Sequence, residues 1–229
     1  MQTLETAIAE NEPPILIRPA YRRYKRALDI ALVLVILLPA GLVLMAIIAI
    51  AIKLDSRGPI LIRQKRVGEH GDEFAMFKFR SMYPDTDESI HRRAVERYMA
   101  GERISGGPAG NAPYKLARDA RVTRVGAFIR ASSLDELPQV FNVLLGHMSM
   151  VGPRPPMPYE VERYSEHARQ RLEGKPGITG TWQVYGRSRV PFDEMVAMDI
   201  AYLQRQSIVY DLKLIVATVP ATLTARGAA

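Results

Sequence analysis

Apolar and polar residues are segregated along this chain rather than interleaved. From Ile30 to Ile52 it reads IALVLVILLPAGLVLMAIIAIAI, about 23 residues without a charge, enough to cross a hydrocarbon core of about 30 Å. A buried helix of a soluble protein rarely runs so far without a polar break. A signal peptide would be shorter, would start earlier and would end in a small-residue cleavage site. This segment therefore meets a membrane. Pro39 stands near its middle, where it removes one backbone donor and pushes away the Val35 carbonyl, which predicts a kink. Basic residues flank both ends: Arg22, Arg23, Lys25 and Arg26 before it, Lys53, Arg57 and Arg63 after it. A simple span usually shows a charge bias to one side. Kink and flanks together favour a re-entrant hairpin, with both ends on one face, over a tilted full span.

The rest of the pattern predicts a soluble domain facing that membrane. Residues 1–20, with Glu5, Glu10, Glu12, Pro13 and Pro14, show no period and read as a loose tail. Pro59 to Val67 and Glu73 to Arg80 are rich in Ile, Val and Phe around Gly68 and Gly71, a β-hairpin signal. Helices are expected over Ile90–Ala100, from near Ser133 to Leu145, over Pro158–Leu172 and over Phe192–Gln204. The four glycines and one proline of Gly101–Asn111 predict a flexible loop. From Ile208, apolar residues recur at Leu212, Ile215, Val216, Val219 and Leu223, a helical stripe that either closes the core or lies in a lipid interface. The fold class is thus α+β: a mainly helical domain with a small β-hairpin, and an N-terminal re-entrant membrane helix. The chain divides into a tail (1–20), a basic flank with the membrane helix (21–57) and the domain with its interfacial helices (58–229).

Composition narrows the chemistry. The 229 residues suffice for one sizeable core. Lys and Arg total 31 against 24 acidic residues, a net charge of +7 that suits anionic partners. Cysteine is absent, which excludes disulfides, thiolate catalysis and Cys-ligated metal centres. Four histidines without an HExxH pattern exclude a zincin site. Carboxylate, hydroxyl or oxygen-bound-metal chemistry remains.

Three words carry it. In Ser133-Leu134-Asp135-Glu136-Leu137-Pro138-Gln139, Ser133 and Glu136 have capping-box spacing, and Pro138 moves the expected helix boundary one or two residues on. Asp135 at a helix start would be held ionised, able to ligate Mg²⁺ or attack phosphorus; a plain helix cap explains the same residues. In Val151-Gly152-Pro153-Arg154-Pro155-Pro156, prolines hold Arg154 on a rigid turn, either a phosphate clamp or a surface corner. In Gly174 to Arg187, glycines permit close backbone approach to a ligand and Arg187 adds charge, without Walker or dinucleotide-binding spacing. Lys78, Arg80, Arg118, Arg121, Arg124 and Arg130 complete a cationic set.

In order, the basic segment, the Pro39-broken hydrophobic run, Lys78-Phe79-Arg80-Ser81-Met82, the Ser133–Gln139 word, Val151–Pro155 and Pro176-Gly177-Ile178-Thr179-Gly180 resemble the bacterial sugar transferases, the monotopic polyprenol-phosphate phosphoglycosyl transferases. The likeness covers about Tyr21 to Leu223 and lacks the extra membrane bundle of the larger members. It implies transfer of a sugar 1-phosphate from a UDP-sugar to undecaprenyl phosphate, with release of UMP and a requirement for Mg²⁺. Such a step opens polysaccharide, exopolysaccharide or lipopolysaccharide synthesis on the cytoplasmic face of the bacterial inner membrane. Asp135 and Glu136 match the family's catalytic dyad, with Asp135 as nucleophile and metal ligand and Glu136 as base or metal partner. Lys78, Arg80, Arg130, Arg154 and Arg187 are then expected to bind substrate phosphates. Membrane lipid is a partner, no nucleic acid is required, and a homo-oligomer is compatible with the pattern. A membrane-bound scaffold that binds anionic lipid would explain the charge and the anchor but not the Asp-Glu pair. A transferase that moves only the sugar would release UDP instead.

Overall fold

The computed structural model describes residues 14–84, 89–102, 121–186 and 190–223. Most of the expected Gly101–Asn111 loop, Arg118 and Arg187 lie outside the described residues.

The apolar segment is helical. α1 spans Pro19–Ala31, a wider π-type stretch follows at Leu32–Leu37, and α2 spans Leu38–Asp55. The irregularity lies just ahead of Pro39 rather than at it. The Leu38 N–H bonds to the Val33 carbonyl, five residues back. Widening the turn here gives the ring of Pro39 room against the preceding carbonyls, which a regular helix would not. α2 is long and apolar enough to cross a membrane, with a mean hydropathy of 2.1 over 18 residues.

One side of this long helix packs on the domain at both ends. Val33 joins Phe74, Met76, Val140, Val143 and Met148 in one core cluster, while Met45, Ile48 and Ile52 join Phe79 and Ile129 in another. The opposite side, with Leu34, Val35, Leu42, Val43, Ile47 and Ile50, is exposed.

The hairpin forms as the alternation predicts. β1 (Leu61–Val67) pairs antiparallel with β2 (Glu73–Phe79), Gln64 opposite Met76. The other edge of β2 is held by a side chain. Asn142, on α5 (Gln139–Leu145), accepts from the Phe77 N–H at 2.9 Å and donates to the Ala75 carbonyl at 2.8 Å. α3 (Ser89–Met99) and α4 (Arg124–Ala131) precede α5, and Thr123 caps α4 through the Gly126 N–H at 2.9 Å.

A second sheet escapes the sequence pattern. β3 (Ser149–Val151) pairs in parallel with β4 (Gly177–Thr179), which lays the two glycine- and proline-rich words side by side. A Cβ on Gly152 would stand 2.2 Å from the Lys175 carbonyl oxygen, and one on Gly177 would stand 2.1 Å from the Gly152 nitrogen. Both glycines serve a strand-to-strand approach, which for Gly177 differs from the approach to a ligand that the sequence suggested.

The expected Pro158–Leu172 helix is broken into α6 (Pro158–Val161), α7 (Glu166–Arg169) and a 3₁₀ turn at Gln170–Glu173. The first piece closes at Glu162, and Ser165 starts the next by accepting from the Ala168 N–H at 3.2 Å. α8 (Phe192–Arg205) and α9 (Ile208–Leu223) follow as expected. In α9 the inward face carries Asp211, Leu214 and Thr218, so the predicted stripe points outward at Leu212, Val216 and Val219. Asp211 ties α1 to α8 and α9. It accepts from Tyr21 Oη at 2.8 Å, Lys25 Nζ at 2.9 Å and Tyr202 Oη at 2.6 Å. Part of the basic flank is thus turned into the protein, including Arg26, whose guanidinium caps α5 through the Val143 and Leu144 carbonyls.

Candidate functional site

Strand period places Lys78 on the same face of β2 as Phe74 and Met76, both buried. The face runs inward and ends at the Asp135–Glu136 pair. Lys78 Nζ lies 2.8 Å from Glu136 Oε1 and 3.8 Å from Asp135 Oδ2. The two carboxylates sit on a single 3₁₀ turn, Leu134–Glu136, not at the start of an α-helix. Ser133 has a φ of 57° and makes no side-chain cap, so the capping box does not form. The reason is Pro138: a helix begun at Ser133 would meet a residue with no N–H for the Leu134 carbonyl. α5 therefore begins only at Gln139, with Pro138 in the cap position.

That difference reverses the expectation for Asp135. No helix dipole holds it ionised. Its side chain is 13% exposed. Burial pushes its carboxyl above the ordinary range, Lys78 opposes this, neighbouring Glu136 reinforces it and Arg130 opposes it. For Glu136, 38% exposed at the side chain, burial pushes the same way. There the charge and hydrogen bond of Lys78, with Arg154 and Arg66 behind, prevail and hold it below its usual value. Lys78 thus holds Glu136 toward its anionic form, while burial pushes the neighbouring Asp135 carboxyl upward.

The expected cations part company. Arg130, in the last turn of α4, faces Asp135, and Arg154 faces Glu136 with its guanidinium 6.0 Å from the Trp182 ring centre. Arg80 does something else. It is buried, and its guanidinium donates to the Ser56 carbonyl at 2.7 Å, Ser56 Oγ at 2.9 Å and the Arg57 carbonyl at 2.6 Å. It ends α2 rather than lining the site, and it lies over Gly58, whose φ of +125° and lack of a Cβ make room for it.

Arg66, Arg171 and Asp199 were missed by sequence reasoning. Nothing in local spacing separates Arg66 from Arg63 or Lys65, and Arg171 and Asp199 lie 28 residues apart. Among the described residues no group of three or more His, Asp or Glu side chains is placed to hold a metal. Asp135 with Glu136 offers one or two carboxylates, the kind of partial set that Mg²⁺ uses when substrate phosphates and water complete its shell. Adjacent carboxylate and guanidinium groups of this kind can receive an anionic phosphate and present a nucleophilic oxygen to it.

Residues 20–225 match the family described as bacterial sugar transferase. The chain is 41% identical over 205 residues to galactosyl transferase CpsE of Streptococcus agalactiae, covering 89% of this chain and 43% of that protein. It is 37% identical over 220 residues to exopolysaccharide production protein ExoY of Rhizobium meliloti, covering 92% of this chain and 90% of the other. It is 39% identical over 207 residues to undecaprenyl-phosphate galactose phosphotransferase of Salmonella typhimurium, covering 90% of this chain and 42% of that one. The chain thus spans less than half the length of the first and third relatives and most of the second.

Proposed function

The chain belongs to the bacterial sugar transferase family, and from that premise we propose that it moves a sugar 1-phosphate from a UDP-sugar to undecaprenyl phosphate at the bacterial inner membrane, releasing UMP. The observation that carries this reading is the carboxylate pair joined by Lys78 and faced by Arg130 and Arg154.

The residues divide the work as follows. Lys78 and Glu136 form the fixed part of the site. Arg154 and Arg130 draw the donor's diphosphate to the dyad. An oxygen of Asp135 attacks the β-phosphorus, the bond from that phosphorus to the bridging oxygen breaks, and UMP leaves with the electron pair. The sugar phosphate is then an acyl phosphate on Asp135. A phosphate oxygen of undecaprenyl phosphate attacks the same phosphorus and returns the carboxylate. Mg²⁺, held by Asp135 with or without Glu136, would offset the charge of the two phosphates when bound.

The same proposal extends to topology. A span would separate its ends by about 30 Å of hydrocarbon, so one domain could pack on only one of them. Here Val33 and Ile52 both pack into the same domain, which supports a segment that re-enters one leaflet; the proposed side for the site is the cytoplasmic one. The outward apolar residues of α9 fit a place at the lipid interface.

A panel of UDP-sugars incubated with undecaprenyl phosphate, scored for the nucleotide released, tests the function. UMP is expected with at least one donor. Release of UDP would make this a simple glycosyl transferase, and salt-sensitive lipid binding with no nucleotide release would make it a scaffold.

A further inference from the structure

Three of the four residues in the turn Pro153–Pro156 are prolines, so the turn presents carbonyls but has only one N–H, that of Arg154. It cannot hold itself. Every one of its backbone polar groups is taken by a different part of the chain. The Pro153 carbonyl accepts from the Gly177 N–H at 2.9 Å and the Pro156 carbonyl from the Val67 N–H at 3.0 Å. The Pro155 carbonyl accepts from Arg66 Nη1 at 2.9 Å, and the Arg154 carbonyl from Arg171 Nη2 at 3.3 Å. The Arg154 N–H donates to Asp199.

Arg171 and Asp199 are themselves a buried ion pair, with side chains 3% and 1% exposed and Nη2–Oδ2 at 2.7 Å. Arg171 Nη1 also donates to Tyr164 Oη at 2.6 Å. Removing two charges from water costs several kcal/mol per ion, and apolar replacements are often at least as stable. Stability is therefore a poor reason for the pair. What it does that a leucine and a methionine could not is grip both peptide groups of one residue, the residue whose guanidinium faces Glu136.

We propose that Arg171 and Asp199, with Arg66 on the neighbouring carbonyl, are positioning residues that aim the Arg154 guanidinium at the donor's diphosphate. This rests on the reading of Arg154 as a phosphate ligand. The pair touches no substrate and acts through Arg154 alone.

A double-mutant cycle in the full-length, membrane-reconstituted enzyme separates this from a structural role. kcat/KM for the UDP-sugar and the thermal midpoint are measured for wild type, Arg154→Ala, Arg171→Lys and the double variant. Arg154→Ala and Arg171→Lys are each expected to lower kcat/KM by about tenfold or more, whereas Arg171→Lys in the Arg154→Ala background lowers it less than about twofold further. The drop in thermal midpoint caused by Arg171→Lys is expected to be the same in both backgrounds. A full second loss of kcat/KM in the double variant would overturn the positioning role while leaving Arg154 a phosphate ligand. Wild-type activity in Arg154→Ala would overturn the phosphate reading and the positioning role together. Should Arg171→Lys fail to fold, Arg66→Lys runs the same cycle, because it touches a different carbonyl of the same turn.

Discussion

Lys78 donates a 2.8 Å hydrogen bond to Glu136 but stands 3.8 Å from Asp135, so one ammonium treats two adjacent carboxylates unequally. Glu136 is held as an anion, and Asp135 has only the longer, weaker contact with the charge that would steer a phosphate. An attacking carboxylate must not be tied up in a strong ion pair, and this arrangement gives the tie to its neighbour.

Asp135→Asn is expected to abolish turnover. An amide has no anionic oxygen to form the acyl phosphate, while its shape is nearly the same. Because the fold disfavours the ionised Asp135, the variant should melt at the wild-type temperature or slightly above. Wild-type enzyme given labelled UDP-sugar without lipid acceptor should retain the label, and Asp135→Asn should not. Absence of label on the wild type, with kinetics requiring both substrates at once, would favour direct transfer.

The raised carboxyl of Asp135 sets two pH dependences of opposite sign. Between the unfolded Asp value of about 3.9 and the higher folded one, the native protein binds more protons than the unfolded chain. Its contribution to stability therefore falls as pH rises through that window and stays lower above it. Activity rises over the same window, since the attacking form is the carboxylate. The acid limb of kcat/KM should lie above the ordinary Asp range and belongs to the pair. Lys78→Met removes the cation that draws both groups down, so the limb should move to higher pH. An unmoved limb would mean that Lys78 does not control the ionisation.

Asn142 bridges α5 to the free edge of β2, and Asn142→Leu would orphan the Phe77 N–H and the Ala75 carbonyl. Each buried orphan costs about 1–3 kcal/mol, a loss readable from a denaturant midpoint. Asn142→Asp keeps an acceptor for Phe77 but buries a carboxylate against the Ala75 carbonyl oxygen, so it should be destabilised too, and more at neutral than at acid pH. Equal stability of Asn142→Leu and wild type would show that this edge is not held by the side chain.

The chain has no cysteine, so single introduced thiols report topology cleanly. Arg18→Cys and Arg57→Cys, both at exposed positions flanking the apolar segment, should be labelled from the same side of intact cells. Labelling from opposite sides would make the segment a span.

The apolar run, the hairpin and the helices over Phe192–Arg205 and Ile208–Leu223 are legible in the sequence because each depends on a repeat of two or about 3.6 residues among near neighbours. The Asp135–Glu136 pair was legible for another reason: its family resemblance is carried by an ordered set of short words. Contacts between distant residues had no such signature. Lys78 meets Glu136 across 58 positions, Asn142 meets Phe77 across 65, and the Gly152 and Gly177 words become one parallel sheet. Local rules misread residues whose partners lie far away: Ser133 has the spacing of a cap without its backbone, and Arg80 has the charge of a phosphate ligand with its donors on a helix end. Spacing along the chain states what a residue can do. Which carbonyl, carboxylate or phosphate it does it to is decided by packing, since a hydrogen bond acts over about 3 Å and the chain returns to that distance only after it has folded.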